Sequence, residues 1–209
     1  MLKALIFDLD MTLVDSLEAC AKGVNLLAER FNLPARNKDQ VLKAISLPIN
    51  EFWRQLWGEV QPEWEDYMYK VIVPMVIGQT KVYPEAPILL GEAKNKGLLL
   101  GLATNRINPW LDLAALDLAK FFDTAVGASD VPRPKPEPDI LLTVIRQLGV
   151  DASTAIYIGD ATSDMACARN AGIRALGLTQ GGNSHEVLVK AGADMIRENL
   201  AACRDVLSF

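Results

Sequence analysis

The chain predicts an α/β fold, a doubly wound parallel sheet interrupted by an all-helical insertion, and three observations carry that expectation. Short apolar runs alternate with helix-periodic segments through most of its length. Polar, acid-bearing residues follow several of those runs directly, the arrangement expected where parallel strands end at a ligand-binding crevice. One long block, residues 15–83, breaks the alternation with helical periodicity and no convincing strand.

Leu5-Ile6-Phe7 reads as the first strand and delivers Asp8-Leu9-Asp10-Met11-Thr12-Leu13 to its carboxyl end. In the insertion, Leu17, Ala21, Val24, Ala28 and Phe31 share one helix face. Trp53, Leu56 and Trp57 mark a shorter helix, and Trp64, Met68, Val71 and Met75 keep helical spacing after a start at Pro62. Hinges are expected near Asp15-Ser16 and from Gln79 to Pro84, dividing the chain into a core of residues 1–14 and 84–209 and an insertion of residues 15–83. Beyond Pro84, a helix over 86–96 stops at Gly97, and Asn108-Pro109 starts the next. Gly149 ends the helix after Pro138, and Gly172 ends the helix after Asp164. Strands are expected near 98–103, 122–126, 154–158, 173–178 and 193–196.

Composition narrows the classes of function. A length of 209 residues suffices for a full core. The formal net charge is -5 with Lys and Arg scattered, so the basic stripe of a nucleic-acid binder is missing. No apolar run approaches the roughly 20 residues of a membrane span, and the amino terminus enters a strand pattern instead of a cleavable apolar region. A cytoplasmic protein with no membrane or nucleic-acid partner, monomeric or homodimeric, is expected. Cys20, Cys167 and Cys203 lack ligand spacing and read as small core residues in a reducing compartment.

Four motifs carry the chemistry. Asp8-x-Asp10-x-Thr12 follows the first strand, Thr104-Asn105 follows Leu98 to Ala103, and Gly159-Asp160-x-x-x-Asp164 follows Ala155 to Ile158. Between the last two, the proline-rich segment from Val131 to Pro138 forms a rigid loop that presents Lys135 ahead of a helix. In this order the motifs resemble the haloacid dehalogenase superfamily of phosphohydrolases, and the resemblance covers nearly the whole chain. It implies a Rossmann-like core with residues 15–83 as a helical cap, and a phosphatase similar to phosphoglycolate phosphatases, acting on a small phosphorylated metabolite.

A carboxylate can attack phosphorus, so Asp8 is the candidate nucleophile, forming an aspartyl-phosphate. Asp10, two residues on and on the same side of an extended chain, can act as general acid and then base. Converging aspartates raise one another's pKa unless a cation compensates, and all-oxygen ligands suit magnesium. The resemblance implies Asp8, the backbone carbonyl of Asp10 and Asp160 as metal ligands, with Asp164 in support. It also gives Lys135 the role of neutralising the phosphoryl group and orienting Asp8, and Thr104 and the Asn105 amide that of binding phosphoryl oxygens. Helix capping by Asp160 and Asp164, and local hydrogen bonding by Thr104, are compatible structural uses.

The single histidine, His185, sits in a polar stretch that reads as an exposed helix start, and no Gly-x-Ser-x-Gly elbow exists to pair with it. Met11 stands where the family most often has glycine, and is expected to narrow the entrance or pack against the cap. The segment from Ala44 to Glu51 occupies the position of a specificity loop, making Asn50, with Ile49, a candidate for substrate binding. Lys43 and Arg54 read as solvated. The segment lacks the Gly-x-Ser-Arg of β-phosphoglucomutases, which ranks a mutase below a phosphatase. A phospho-accepting receiver module, the alternative outside enzymes, lacks a helical insertion after its first strand and has its lysine last among the motifs.

Overall fold

The structure is a computed structural model in which residues 1–208 are described. The chain runs through β1 (Ala4–Phe7), β2 (Val14–Asp15), α1 (Leu17–Arg30), α2 (Lys38–Leu42), α3 (Ile49–Trp57), α4 (Pro62–Tyr67), a π-helical turn (Met68–Ile72) and α5 (Val73–Gln79). It continues through β3 (Lys81–Val82), α6 (Glu85–Asn95), β4 (Leu99–Ala103), α7 (Pro109–Ala115), β5 (Thr124–Val126) and α8 (Asp139–Leu148). It closes with β6 (Ala155–Gly159), α9 (Thr162–Ala171), β7 (Arg174–Leu178), α10 (His185–Ala191), β8 (Met195–Arg197) and a 3₁₀ segment, Ala201–Ser208.

Six strands form one parallel sheet in the order β5-β4-β1-β6-β7-β8. Alternation along each strand feeds two apolar layers. Leu5, Phe7, Leu102 and Ile158 enter one, under α6; Ile6, Ala103, Ala155 and Tyr157 enter the other, under α8 and α9. Each fully buried Leu, Ile or Phe contributes about 1.5–3 kcal/mol of transfer free energy. Close packing of α8 requires glycine in β4, because a β-carbon on Gly101 would lie 2.5 Å from Val144. Gly149 and Gly172 end α8 and α9 in the left-handed region, at φ 66° and 70°.

β1 lies between β4 and β6, and the chain winds outward from it to β4 and β5 before returning to β6 on its other side. That reversal is the switch point at which doubly wound sheets bind ligands. It gathers Asp8, Thr104 and Asp160, each immediately after its strand, at one edge.

The helices between β2 and β3 have their own core, formed by residues such as Leu27, Trp53, Trp64, Met68 and Ile72. Val71, expected on the buried face of a regular helix, is 41% exposed, whereas Ile72 and Val76 are buried. The π turn over Met68–Ile72 widens that stretch of helix and advances the inward face by one residue. Two short strands also interrupt the block expected to be wholly helical. β2 and β3 pair antiparallel, Val14 with Val82 and Asp15 with Lys81. A two-residue strand stabilised by a distant partner leaves no periodicity to read. α2, five residues long, is started by a capping box between Asn37 and Gln40.

Candidate active site

Asp8 is the residue after β1, and its backbone N–H donates to the Ile158 carbonyl at 2.9 Å, which extends the sheet pairing into the site. Lys135 reaches the same point from the proline-rich loop. That loop is fixed from two sides. Asn105 accepts the Lys135 N–H at 3.0 Å and donates to the Lys135 carbonyl at 3.2 Å. From α9, the Cys167 thiol donates to the Glu137 carbonyl at 3.0 Å, and Asn170 donates to the Pro136 carbonyl at 3.2 Å. The Lys135 ammonium, 1% exposed, donates to Asp8 Oδ1 and Asp164 Oδ1, each at 2.7 Å, and to the Tyr157 hydroxyl at 3.0 Å.

Asp160 and Asp164 enter from the β6–α9 junction. Asp164, in the first turn of α9, accepts the Ala161 N–H through Oδ2 at 3.0 Å, so capping and site roles coexist in one side chain. Asp160 Oδ1 accepts from the Thr12 hydroxyl at 2.9 Å. Its carboxylate lies against the backbone of Gly181, where any β-carbon would overlap it; a β-carbon on Gly159 would likewise overlap Asp164. Carboxylate oxygens of Asp8, Asp160 and Asp164 all lie within 4.8 Å of one another, and all three residues are buried.

This cluster is short of positive charge. Burial pushes the Asp8 carboxyl up to about 7 against the attraction of Lys135, with Asp164 and Asp10 pushing the same way. Burial, then Asp164 and Asp8, hold Asp160 well above the ordinary carboxylate range. Lys135 is kept protonated: burial alone would lower it, and the two carboxylates outweigh that effect. One ammonium among three carboxylates leaves a deficit that a divalent cation on oxygen ligands would fill, so the donor set fits magnesium.

Asp10 stands apart from the cluster. Its carboxylate accepts Arg106 Nε at 2.8 Å, Arg106 Nη2 at 2.7 Å and the Ser16 hydroxyl at 2.5 Å. Burial raises its pKa, but the charge and hydrogen bonds of Arg106, aided by Ser16, outweigh burial and hold it below the usual range. Arg106 also faces Asp112 at 3.5 Å, and burial lifts the Asp112 carboxyl to about 6. The Asp10 side chain is thereby committed to Arg106, which leaves only its backbone as the expected metal ligand.

Asp8, Asp10, Thr104, Asn105 and Lys135 line one cavity of about 220 Å³ that opens under the cap. The Asn105 side chain also bridges to the cap by donating to the Ser46 carbonyl at 2.9 Å. Two expectations are corrected here. Asn50 is exposed and lies outside the cavity wall, because the first turn of α3 turns its neighbour Ile49 inward instead. Met11 is buried, takes a left-handed backbone at φ 58° and does not line the cavity, so of the two uses expected of it, narrowing the entrance is the one overturned. A non-glycine residue in that conformation costs about 1–2 kcal/mol, and the turn is held by Gln180, which donates to the Thr12 carbonyl at 2.9 Å and the Met11 carbonyl at 3.3 Å. Cys20, read as core, lines the cavity.

Arg106, Tyr157 and Gly181 were not singled out by sequence reasoning. Arg106 directly follows Thr104-Asn105, and that adjacency was a usable signal. Tyr157 was hidden inside an apolar strand run, and Gly181 inside a polar glycine-rich loop.

The switch point of this doubly wound sheet thus gathers three buried carboxylates and a buried lysine beneath the helical insertion. A family model for haloacid dehalogenase-like hydrolases matches residues 5–178, and the chain belongs to that family. Within it the chain falls on the phosphatase side. It is 29% identical over 226 aligned residues to phosphoglycolate phosphatase of Escherichia coli strain K12, spanning 95% of this chain and 90% of that protein. Among solved structures, one described as a predicted phosphatase from Clostridium acetobutylicum superposes with a TM-score of 0.90 at 25% identity, covering all of both chains. A Thermotoga maritima structure assigned as a β-phosphoglucomutase superposes at 0.78 and 24% identity, with 99% of each chain covered, and shares the fold.

Proposed function

We propose that this phosphatase hydrolyses a small phosphomonoester, of the size of phosphoglycolate, in a magnesium-dependent reaction through a phosphoryl group carried on Asp8. The observation that carries the reading is the buried set Asp8, Asp160 and Asp164, with oxygens within 4.8 Å, in which Lys135 bridges Asp8 and Asp164 and Asp8 with Lys135 lines the cavity. Asp8, Asp160 and the Asp10 carbonyl, supported by Asp164, would hold magnesium, which would supply the positive charge needed for a phosphoryl dianion beside three carboxylates.

Asp8 Oδ1 is held by Lys135, and its other oxygen attacks phosphorus as the bond to the leaving oxygen breaks. In its protonated form Asp10 gives its proton to that leaving oxygen, and it regains one from the water that attacks phosphorus and releases Asp8. Lys135 neutralises the phosphoryl oxygens and fixes Asp8, and the Thr104 hydroxyl, 1% exposed at the end of β4, offers a donor to them. A mutase would have to hold a second phosphate from the cap, and among the described residues the cap wall of the cavity carries no cation.

Chelation of divalent metal is expected to abolish turnover of acetyl phosphate and phosphoglycolate, and magnesium to restore it. Rapid quenching with labelled substrate is expected to place phosphate on Asp8. Full turnover in metal-free buffer, or label on another residue, refutes the reading.

A further inference from the structure

The cavity has two unlike halves. Every charged residue lining it, Asp8, Asp10, Arg106, Asp112 and Lys135, comes from the core. The cap half is apolar: Ile49, Phe52, Met68, Ile72 and Val76 face it, with the Ser46 and Tyr69 hydroxyls its strongest polar groups. Leu111 of α7 continues the apolar wall on the core side.

Neither cation of the lining is free to receive a second anionic group. Lys135 is engaged by Asp8 and Asp164. Arg106 is engaged bidentately by Asp10 and faces Asp112 as well. A carboxylate on the leaving group would enter a wall without a partner, next to two acids, and burying an unpaired charge is costly. The volume, about 220 Å³, suits a compact group.

From this two-sided cavity we infer the leaving-group class: the substrate is the phosphate ester of a small apolar alcohol, a short branched chain or a single ring, whose body rests on Ile49, Phe52, Ile72 and Leu111. The inference rests on the phosphomonoesterase reading and narrows it, because it separates this chain from an enzyme selective for phosphoglycolate.

The test compares methyl, propyl, isobutyl and phenyl phosphate with phosphoglycolate, with magnesium present. In wild type, kcat/KM is expected to rise about fourfold for each methylene that is buried, and isobutyl or phenyl phosphate to exceed phosphoglycolate at least tenfold. Leu111→Arg, at a site 67% exposed and therefore tolerant in folding, is expected to reduce that ratio at least tenfold by giving the carboxylate a partner. Ile49→Lys serves as a second such variant. Binding to Asp8→Asn protein, followed by the fluorescence of Trp53 in the cavity wall, reports selectivity without turnover. Phosphoglycolate preferred by wild type, or a flat series from methyl to isobutyl in both turnover and binding, overturns the inference while leaving phosphatase activity standing. Selective binding of the apolar esters with no turnover of any ester supports the inference and refutes the phosphatase reading instead.

Discussion

Replacing Lys135 by methionine removes the one ammonium from among three buried carboxylates, and its cost can be worked from the structure. Lys135 is 1% exposed and makes two contacts of 2.7 Å, to Asp8 and Asp164. Methionine fills much of the volume, so what is lost is charge compensation. Removing one partner of a buried ion pair costs about 3–5 kcal/mol, because the remaining charge is left buried and unpaired. For a domain of this size each kcal/mol lowers Tm by about 2–4 °C, giving a fall of roughly 6–20 °C. Thermal unfolding of chelated protein at pH 8 measures it. The deficit is expected to shrink at low pH, and the sign follows from Asp8. Its folded-state pKa is raised from 3.8 to about 7, so between those values the folded state holds a proton that the unfolded chain has released. The stability tied to that proton is complete below 3.8 and lost as pH rises through about 7. Without Lys135, which lowers the Asp8 pKa, the penalty above that range grows, whereas at pH 5 a protonated Asp8 needs no partner. A variant with a wild-type Tm at pH 8, or one equally destabilised at pH 5 and pH 8, would refute the view that Lys135 serves as a counter-charge.

Three further outcomes are expected. Asp10→Asn should lower kcat by about 10²–10⁴ while Asp8 still takes up label from substrate, since general acid–base loss does not remove the nucleophile; an unlabelled Asp8 in that variant would contradict the division of roles. Arg106→Gln removes the cation that holds the Asp10 pKa down, so the pH profile of kcat/KM should move to higher pH; Arg106→Lys should not fully restore it, lacking the two-point contact, and an unmoved profile in Arg106→Gln counts against Asp10 as the titrating acid. Gly181→Ala would push a β-carbon into the Asp160 carboxylate, so magnesium affinity measured by calorimetry should fall about 10–100-fold, and unchanged affinity would exclude Asp160 as a ligand.

What could be read beforehand and what could not divide along physical lines. Asp8, Thr104 and Asp160 were legible because each directly follows an apolar strand run, and parallel sheets place such residues at one edge. Strand and helix order in the core was legible for the same reason, with Gly149 and Gly172 as punctuation. The Asp10–Arg106 pair was not, because the partners are 96 residues apart and only folding makes them adjacent. Nor was the inward face of the cap, where the π turn replaces Val71 by Ile72. Asn50 was misplaced by one position, since the direction of a loop-to-helix turn decides whether residue 49 or 50 faces the cavity.

The pairing of β2 with β3 has a consequence for how the chain can change. Val14 and Val82 are register partners in a two-stranded ribbon separate from the main sheet, so the chain leaves the core and returns to it side by side. Seen from the sheet, everything from Ser16 to Thr80 is the tip of one hairpin. The entropy of closing a loop grows only with the logarithm of its length, each doubling adding about 0.6 kcal/mol. Lengthening, trimming or exchanging the cap therefore places little load on the strands that deliver Asp8, Thr104 and Asp160. The acidic cluster and the apolar cap wall of the cavity are thus carried by parts joined through a ribbon of two residues on each side.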